Sequence, residues 1–459
     1  MAFVNRSPWI HQLDQSRVAV TLHGDAQTDV AIVGAGIAGV STAFFALHGT
    51  NKKITLIEGG RLAHGATGHN AGQVTSYFER SLHDIAEEFG PDLTKEGQEA
   101  IEHSFELLEH MYITANLSIP FSRFLGHAGM VDFDRVVSHL KDNELREKLV
   151  LSVEEFLIAD NAPFLKNIPE QYARFYAVVP QQKILELLET KDTKFFACLS
   201  SPKGCINSAL FCQEIILYLQ KTFPTRFSFY EHTHINKVVL KQDHALLDAV
   251  HHEIHTLRVV LCTNGFETLT IINESGLDIN TRFHHTVRGI VGFMSGYLKP
   301  YEKSPIAISY IVKGSSQFEG EYYYLTRRQF EHDENKNYNL ISVGGPEIEL
   351  EDTISYTKNQ DYPDEAQKSI DAFIRNTYEK IDTKQIDYQF KWHGLMGYTT
   401  NGIRLVGVEP QNPVLLYNLG CNGIGILPSI YGGKRISEIL AGKKLTPSIF
   451  DPKIPNNNL

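Results

Sequence analysis

Between Asp29 and Glu58 the apolar pattern changes period twice, and this constrains the fold more than any other part of the chain. Asp29-Val30-Ala31-Ile32-Val33 is a short apolar run suited to a strand buried on both faces. Ile37, Val40, Phe44 and Leu47 then recur at helical spacing, with Gly49 as a stop signal. Lys53-Ile54-Thr55-Leu56-Ile57 is a second buried-strand pattern. Strand, helix and strand within about 30 residues make a βαβ unit with a right-handed crossover. The run Val30 to Leu47 is apolar enough to raise the question of a membrane span. Gly34, Gly36, Gly39, Ser41 and Thr42 interrupt it, however, and Asp29 and His48 border it.

The turn between the first strand and the helix is Gly34-Ala35-Gly36-Ile37-Ala38-Gly39, a GxGxxG. Gly34 permits the tight turn, Gly36 lets backbone approach a pyrophosphate, and Gly39 lets the helix pack on the strand. The helix N-terminus adds free N–H groups and a positive dipole end. Glu58, about 20 residues on, stands where a carboxylate hydrogen-bonds ribose hydroxyls, and an acid there disfavours a 2′-phosphate. A glycine turn without a ligand is the bland alternative. Strand, helix, spacing and acid together favour a dinucleotide.

Composition sets outer bounds. The 459 residues are 42% hydrophobic and 21% charged, which excludes a disordered chain or a coiled coil and allows two or three domains. A net charge of −11 without clustered Lys or Arg argues against nucleic-acid and anionic-membrane surfaces. Five cysteines without a CxxC pair are expected to be free thiols in a reducing compartment, hence a cytoplasmic protein. The N-terminal residues lack the apolar core of a secretory signal.

Downstream, residues 61–81 are expected to be an irregular loop, 82–115 helical, 209–223 an amphipathic helix and 227–265 three or four short strands. Residues 283–350 are rich in β-formers, 362–380 looks helical, and a last strand (Pro413 to Gly420) meets a glycine turn and a helix. The tail from Asp451 is expected to fray. No internal repeat or low-complexity linker divides the chain.

After Glu58 come Gly59-Gly60-Arg61 and then Gly65-Ala66-Thr67-Gly68-His69-Asn70-Ala71-Gly72-Gln73, a small-residue loop suited to an extended cofactor. Here the sequence resembles the glycine oxidase, D-amino-acid oxidase and sarcosine oxidase family of FAD enzymes. Thr233-His234-Ile235 resembles the strand whose backbone meets the adenine. Cys262-Thr263-Asn264-Gly265 resembles the turn after the closing strand of the FAD domain. Gly394-Leu395-Met396-Gly397-Tyr398-Thr399 and Gly420-Cys421-Asn422-Gly423-Ile424-Gly425 resemble the family's second glycine-rich cofactor segment. Within the family, Asn70-Ala71-Gly72-Gln73, Trp392 and Glu321-Tyr322-Tyr323-Tyr324 are similar to γ-glutamylputrescine oxidase-like amine oxidases.

The resemblance implies an α/β fold: a Rossmann-type FAD-binding domain from 25–110, 195–270 and 390–445, with an interleaved antiparallel α+β substrate domain from 111–194 and 271–389. It implies FAD as cofactor and a small-molecule amine or N-substituted amino acid as substrate. The carbon next to nitrogen loses hydride or its equivalent to flavin, and dioxygen is the expected acceptor. A dehydrogenase with another acceptor, and a flavoprotein kept for binding, remain the alternatives. The turn Gly420–Gly425 would offer N–H groups and a helix dipole to the reduced flavin, or simply start a helix.

Departures from the family pattern carry information. An arginine that grips the substrate carboxylate in glycine oxidase-like relatives corresponds to Met396, which cannot pair with a carboxylate. Arg404 is either a substitute cation or a surface arginine on a strand. The cysteine that binds FAD covalently in monomeric sarcosine oxidase corresponds to Gly394. His69 falls where dimethylglycine and sarcosine dehydrogenases carry a histidine bonded to flavin; it either repeats that bond or covers the ring edge. Tyr322 and Tyr324 share one face of a strand and form a candidate aromatic wall, or reflect β-propensity alone. His393 and Trp392 are candidates near the rings, or core. His251-His252-Glu253-Ile254-His255 resembles a metal cluster but sits on a strand pattern without ligand geometry, so no metal is expected.

Overall fold

The structure, a computed structural model, describes residues 5–265, 269–284, 287–312, 322–332, 335–351, 356–359, 361–379 and 386–453. Glu321 and the end of the tail, 454–459, lie outside the described residues. Two sheets organise the molecule. The first has nine strands, ordered Thr270–Asn273, Lys237–Leu240, Ala245–Asp248, Glu253–Leu261, Ala26–Val33, Ile54–Ile57 and Phe227–Tyr230. The strand Leu415–Leu419 pairs with Glu253–Leu261 and carries Leu405–Val408 beside it.

Ala26–Val33 runs parallel to both Glu253–Leu261 and Ile54–Ile57, and Val30, Ala31 and Ile32 are fully buried. That double burial explains an uninterrupted apolar run where a half-exposed strand would alternate. The helix Ile37–Gly49 is buried from Ile37 through Leu47. Its outer side is covered by the helix Ile426–Leu440, where a Cβ on Gly433 would stand 2.7 Å from the Ser41 carbonyl carbon, and Ser437 Oγ donates to Phe45 O at 2.8 Å. The Val30–Leu47 run is therefore interior βα structure. No described helix is long and apolar enough to cross a membrane.

The second sheet has ten strands, ordered Tyr388–Thr399, Val287–Pro300, Asn335–Glu349, Tyr322–His332, Ile306–Ile311, Phe121–Met130, Ala197–Ile206, Glu155–Ala159 and Ala177–Val179, with Gln73–Thr75 on Ala197–Ile206. It is antiparallel apart from two pairs. The chain crosses between sheets repeatedly, as an interleaved pair of domains requires. Three strands that fall wholly or mainly within the segments expected for the first domain, Gln73–Thr75, Ala197–Ile206 and Tyr388–Thr399, pair in the second sheet. Thr233–Ile235 is an extended connection and not a strand, because the Thr233 N–H turns back to Glu58 O at 3.0 Å.

The 61–81 loop holds only a single 3-10 turn at Ala66–Gly68 and the strand Gln73–Thr75. The N-terminal residues fasten it. Trp9 Nε1 donates to Asn70 O at 2.6 Å, Ser7 Oγ donates to Gly68 O, and Asn5 Nδ2 donates to His393 O at 3.1 Å.

Candidate cofactor and substrate cavity

One cavity of about 660 Å³ runs between the two sheets, within the size range of ligand sites. Its first end is the glycine turn. Gly34 has φ +103°, and a Cβ there would be 2.7 Å from Cys262 O; a Cβ on Gly39 would be 1.8 Å from Gly34 O. A Cβ on Gly36 would meet Thr67 Oγ1 at 2.9 Å, and that hydroxyl accepts from Ile37 N at 2.9 Å. Thr67 thus caps one helix donor and leaves the N–H of Ala38, which lines the cavity, for an anion. Glu58 closes this end: its carboxylate accepts from Ala35 N and Gly60 N, both at 2.9 Å. Lys358 and His64, which carried no sequence signal, line the same wall.

The middle is framed by His69, Asn70, Gly394 and the turn after Leu261. A Cβ on Gly394 would fall 2.7 Å from His69 O, so only glycine fits this crossing. Burial pushes the His69 imidazole down to about 4, which keeps it neutral at pH 7, with Nδ1 3.0 Å from Gly65 O. Asn264 (φ +67°) and Gly265 (φ +95°) make a left-handed corner, and Asn264 Oδ1 accepts from Cys421 N at 2.9 Å.

Arg404 is the clearest correction here. It is 5% exposed and lines the cavity; it is not a surface residue. Its guanidinium donates to Asn418 Oδ1 (2.7 Å), Asn418 O (2.9 Å) and Gly420 O (3.2 Å). Burial lowers it to about 10, still charged at pH 7. Carbonyl and amide oxygens hold it, leaving its charge to act on whatever fills the cavity.

The far end is made of side chains. Tyr322 and Tyr324 face inward with ring centroids 5.7 Å apart, while Tyr323 turns to the other side and stacks on Phe373 at 4.3 Å. Met396, Tyr398, Gly292, Met294, Tyr77, Glu79 and Glu347 complete the wall.

Of the sequence candidates, Gly34, Gly36, Ile37, Ala38, Glu58, Gly59, Gly60, Ala66, Thr67, His69, Asn70, Ala71 and Gln73 line this cavity. So do Ile235, Thr263, Asn264, Tyr322, Tyr324, Gly394, Met396, Gly423, Ile424 and Gly425. Ala35, Gly39, Gly68, Gly72, Gly265, Gly420 and Asn422 stand behind it and shape the turns. Gly72 (φ +69°) meets the Trp9 ring, and Asn422 Oδ1 accepts from Thr399 N at 2.7 Å. Arg61 lines a separate shallow pocket with Leu13, Asp14 and Arg17. His393 is another correction: fully buried on the outward side of its strand, it contacts Tyr356 OH (Nδ1, 3.0 Å) and is absent from the wall. Trp392 is core, its Nε1 3.3 Å from Asn70 O. In the 251–255 run the strand begins at Glu253 and His255 Nε2 lies 2.6 Å from Glu253 Oε1; among the described residues no group of three or more His, Cys, Asp or Glu is gathered as metal ligands.

The sequence profile of the DAO family, described as FAD dependent oxidoreductase, matches residues 29–439. No curated protein matches the sequence. Among solved structures, L-proline dehydrogenase from P. horikoshii aligns with TM-score 0.68 at 14% identity, over 93% of this chain and 97% of that one. Glycine oxidase from Geobacillus kaustophilus gives TM-score 0.66 at 14% identity, over 93% and 98%. L-amino acid deaminase from Proteus vulgaris gives 0.62 at 13%, over 95% and 99%. At such identities the likeness is one of fold.

Proposed function

The chain belongs to the DAO family of FAD-dependent oxidoreductases, and from that premise we propose that it oxidises the carbon–nitrogen bond of an amine that is not held by its carboxylate. The observation that carries the reading is the far wall of the cavity. Tyrosines and Met396 line it where a carboxylate-gripping arginine would be required.

FAD, when bound, accepts two electrons as a hydride or its equivalent from the carbon beside nitrogen. When FAD is bound, the Ala38 N–H and the helix dipole would hold the pyrophosphate, and Glu58 would offer its remaining lone pairs to ribose. Ile426 and Leu427 present N–H groups at the start of the last helix; Pro428, in the same turn, has none. With the Arg404 charge behind the Gly420 turn, they favour negative charge in the adjoining part of the cavity. Tyr322 and Tyr324 orient the substrate and exclude water. His69, its Nδ1 held by Gly65 O, covers the cofactor without a covalent bond in this reading.

Anaerobic addition of amines to the yellow holoprotein tests the reading. Bleaching by an amine supports it; bleaching only by a simple α-amino acid, with Met396→Arg leaving KM unchanged, defeats it. Recolouring in air separates oxidase from dehydrogenase. Acid precipitation should leave a colourless pellet with free FAD in the supernatant; flavin mass on the His69 peptide would reverse the non-covalent assignment.

A further inference from the structure

Two acids, Glu79 and Glu347, line the far end of the cavity. Glu79 enters from the loop after Gln73–Thr75, and Glu347 from the strand Asn335–Glu349. A Cβ on Gly423 would stand 2.8 Å from Glu79 Oε1 and 2.6 Å from Tyr398 OH. One on Gly292 would stand 3.9 Å from Glu347 Oε1, 3.8 Å from Tyr324 OH and 3.1 Å from Met396 Cε. Both carboxyls therefore reach the cavity over glycines, with Tyr324 and Tyr398 beside them. Glu79 keeps accessible surface and lines the cavity, with protein crowded around its carboxyl.

Neither acid forms an ion pair or a hydrogen bond among the described residues. The cations that act on Glu79 stand off. Arg135 lies on the helix Phe133–Lys148, and the buried Lys203 gives its Nζ to Ser309 Oγ at 3.2 Å. The charge that acts on Glu347 is Glu79 itself. Burial pushes Glu79 up to about 7 and Glu347, which also feels Glu79, up to about 8, so near pH 7 the pair retains protons until a cation displaces them. Tyr77, Tyr322, Tyr324 and Tyr398, the tyrosines on this wall, are also pushed up by burial and stay neutral.

Buried acids without partners cost free energy, and a ligand cation removes that cost. The reacting nitrogen cannot be that cation, because it needs its lone pair to form C=N. We propose that Glu79 and Glu347 clamp a cationic group remote from the oxidised nitrogen, so that the substrate is an amine bearing a second ammonium or guanidinium. This rests on the amine-oxidising reading above. The tyrosine faces add cation–π attraction, and a carboxylate in the same place would be repelled.

The test titrates oxidised holoprotein with α,ω-diaminoalkanes, n-alkylamines and ω-amino acids of matched length, following the flavin spectrum. Diamines should bind at least about tenfold tighter than monoamines, with ω-amino acids weakest. Calorimetry in buffers of different ionisation heat should show proton release on diamine binding. Glu79→Gln and Glu347→Gln should each draw the diamine-to-monoamine ratio toward one at unchanged FAD content. Monoamines equal to diamines, or preferred ω-amino acids, would overturn the clamp, and this comparison needs no variant. An undiminished ratio in the double Gln variant would overturn it too. If diamines are preferred but no amine bleaches the flavin anaerobically, the oxidation reading fails and the clamp stands. Bleaching without discrimination fails the clamp alone.

Discussion

At the glycine-turn end of the cavity the wall is backbone, and at the tyrosine end it is side chain. Gly34, Gly36 and Gly39 act through what they lack, each packed so that a methyl group would collide with Cys262, Thr67 or Gly34. Tyr322, Tyr324, Glu79 and Glu347 act through what they carry into the cavity. A backbone wall suits a ligand that never changes, since its N–H groups are supplied by any sequence that permits the turn. A side-chain wall can be altered one residue at a time without disturbing either sheet. The first end tolerates almost no substitution and the second tolerates many, each with a chemical consequence.

Substitutions can break this contrast. The largest effect is expected from Gly39→Ala, whose methyl would lie 1.8 Å from Gly34 O. The protein should lose FAD altogether or fail to fold, measured as flavin-to-protein ratio and circular dichroism. A normal flavin content would show that this wall is not set by backbone contact. Arg404→Met should follow, with about 1.5–3 kcal/mol of stability lost with the charged hydrogen bonds to Asn418 and Gly420, together with weaker FAD retention. An unchanged Tm would place the cation outside both walls. Glu58→Gln should cost roughly tenfold in FAD affinity, read by dialysis, because a charge-assisted bond becomes a neutral one.

The smallest effect belongs to the other end. Glu79 and Glu347 titrate higher in the folded protein than in the unfolded chain. The folded state therefore holds more protons, and stability present below pH about 4.5 is lost as pH rises through about 7 to 8. Tm of the ligand-free protein should drift down across that window, and Glu79→Gln/Glu347→Gln should flatten the drift. An equal drift in the double variant would sharpen the contrast against these acids.

The same contrast decides what could be read in the sequence. Gly34 through Gly39 and Glu58 are legible because strand, turn, helix and acid are close in sequence and their spacing is the mechanism. The Gly420–Gly425 turn is legible for the same reason. Glu79 and Glu347 are not: a single acid in a loop or near a strand end looks like any solvated residue until the sheets enclose it. The sequence leaves Arg404 open between a substitute cation and a surface arginine, because nothing local announces that the carbonyls of 418 and 420 will surround it. His393 shows the limit of alternation on a strand, which says that neighbours face opposite ways but not which face meets the cavity. Ala197–Ile206 joins the second sheet because of pairing with Phe121–Met130, a partner that periodicity cannot name.

The pairing of Ala26–Val33 with Glu253–Leu261, and of the helix Ile37–Gly49 with Ile426–Leu440, also bears on biosynthesis. A ribosome releases the glycine turn roughly 390 residues before its covering helix. At about 5–20 residues per second, roughly 20–80 s separate them. During that interval the face of Ile37–Gly49 that Ile426–Leu440 covers stays bare, while Ser7 and Trp9 can already fasten the 65–72 loop. Apolar surface left bare for that long exposes the nascent chain to misassociation before the covering helix arrives.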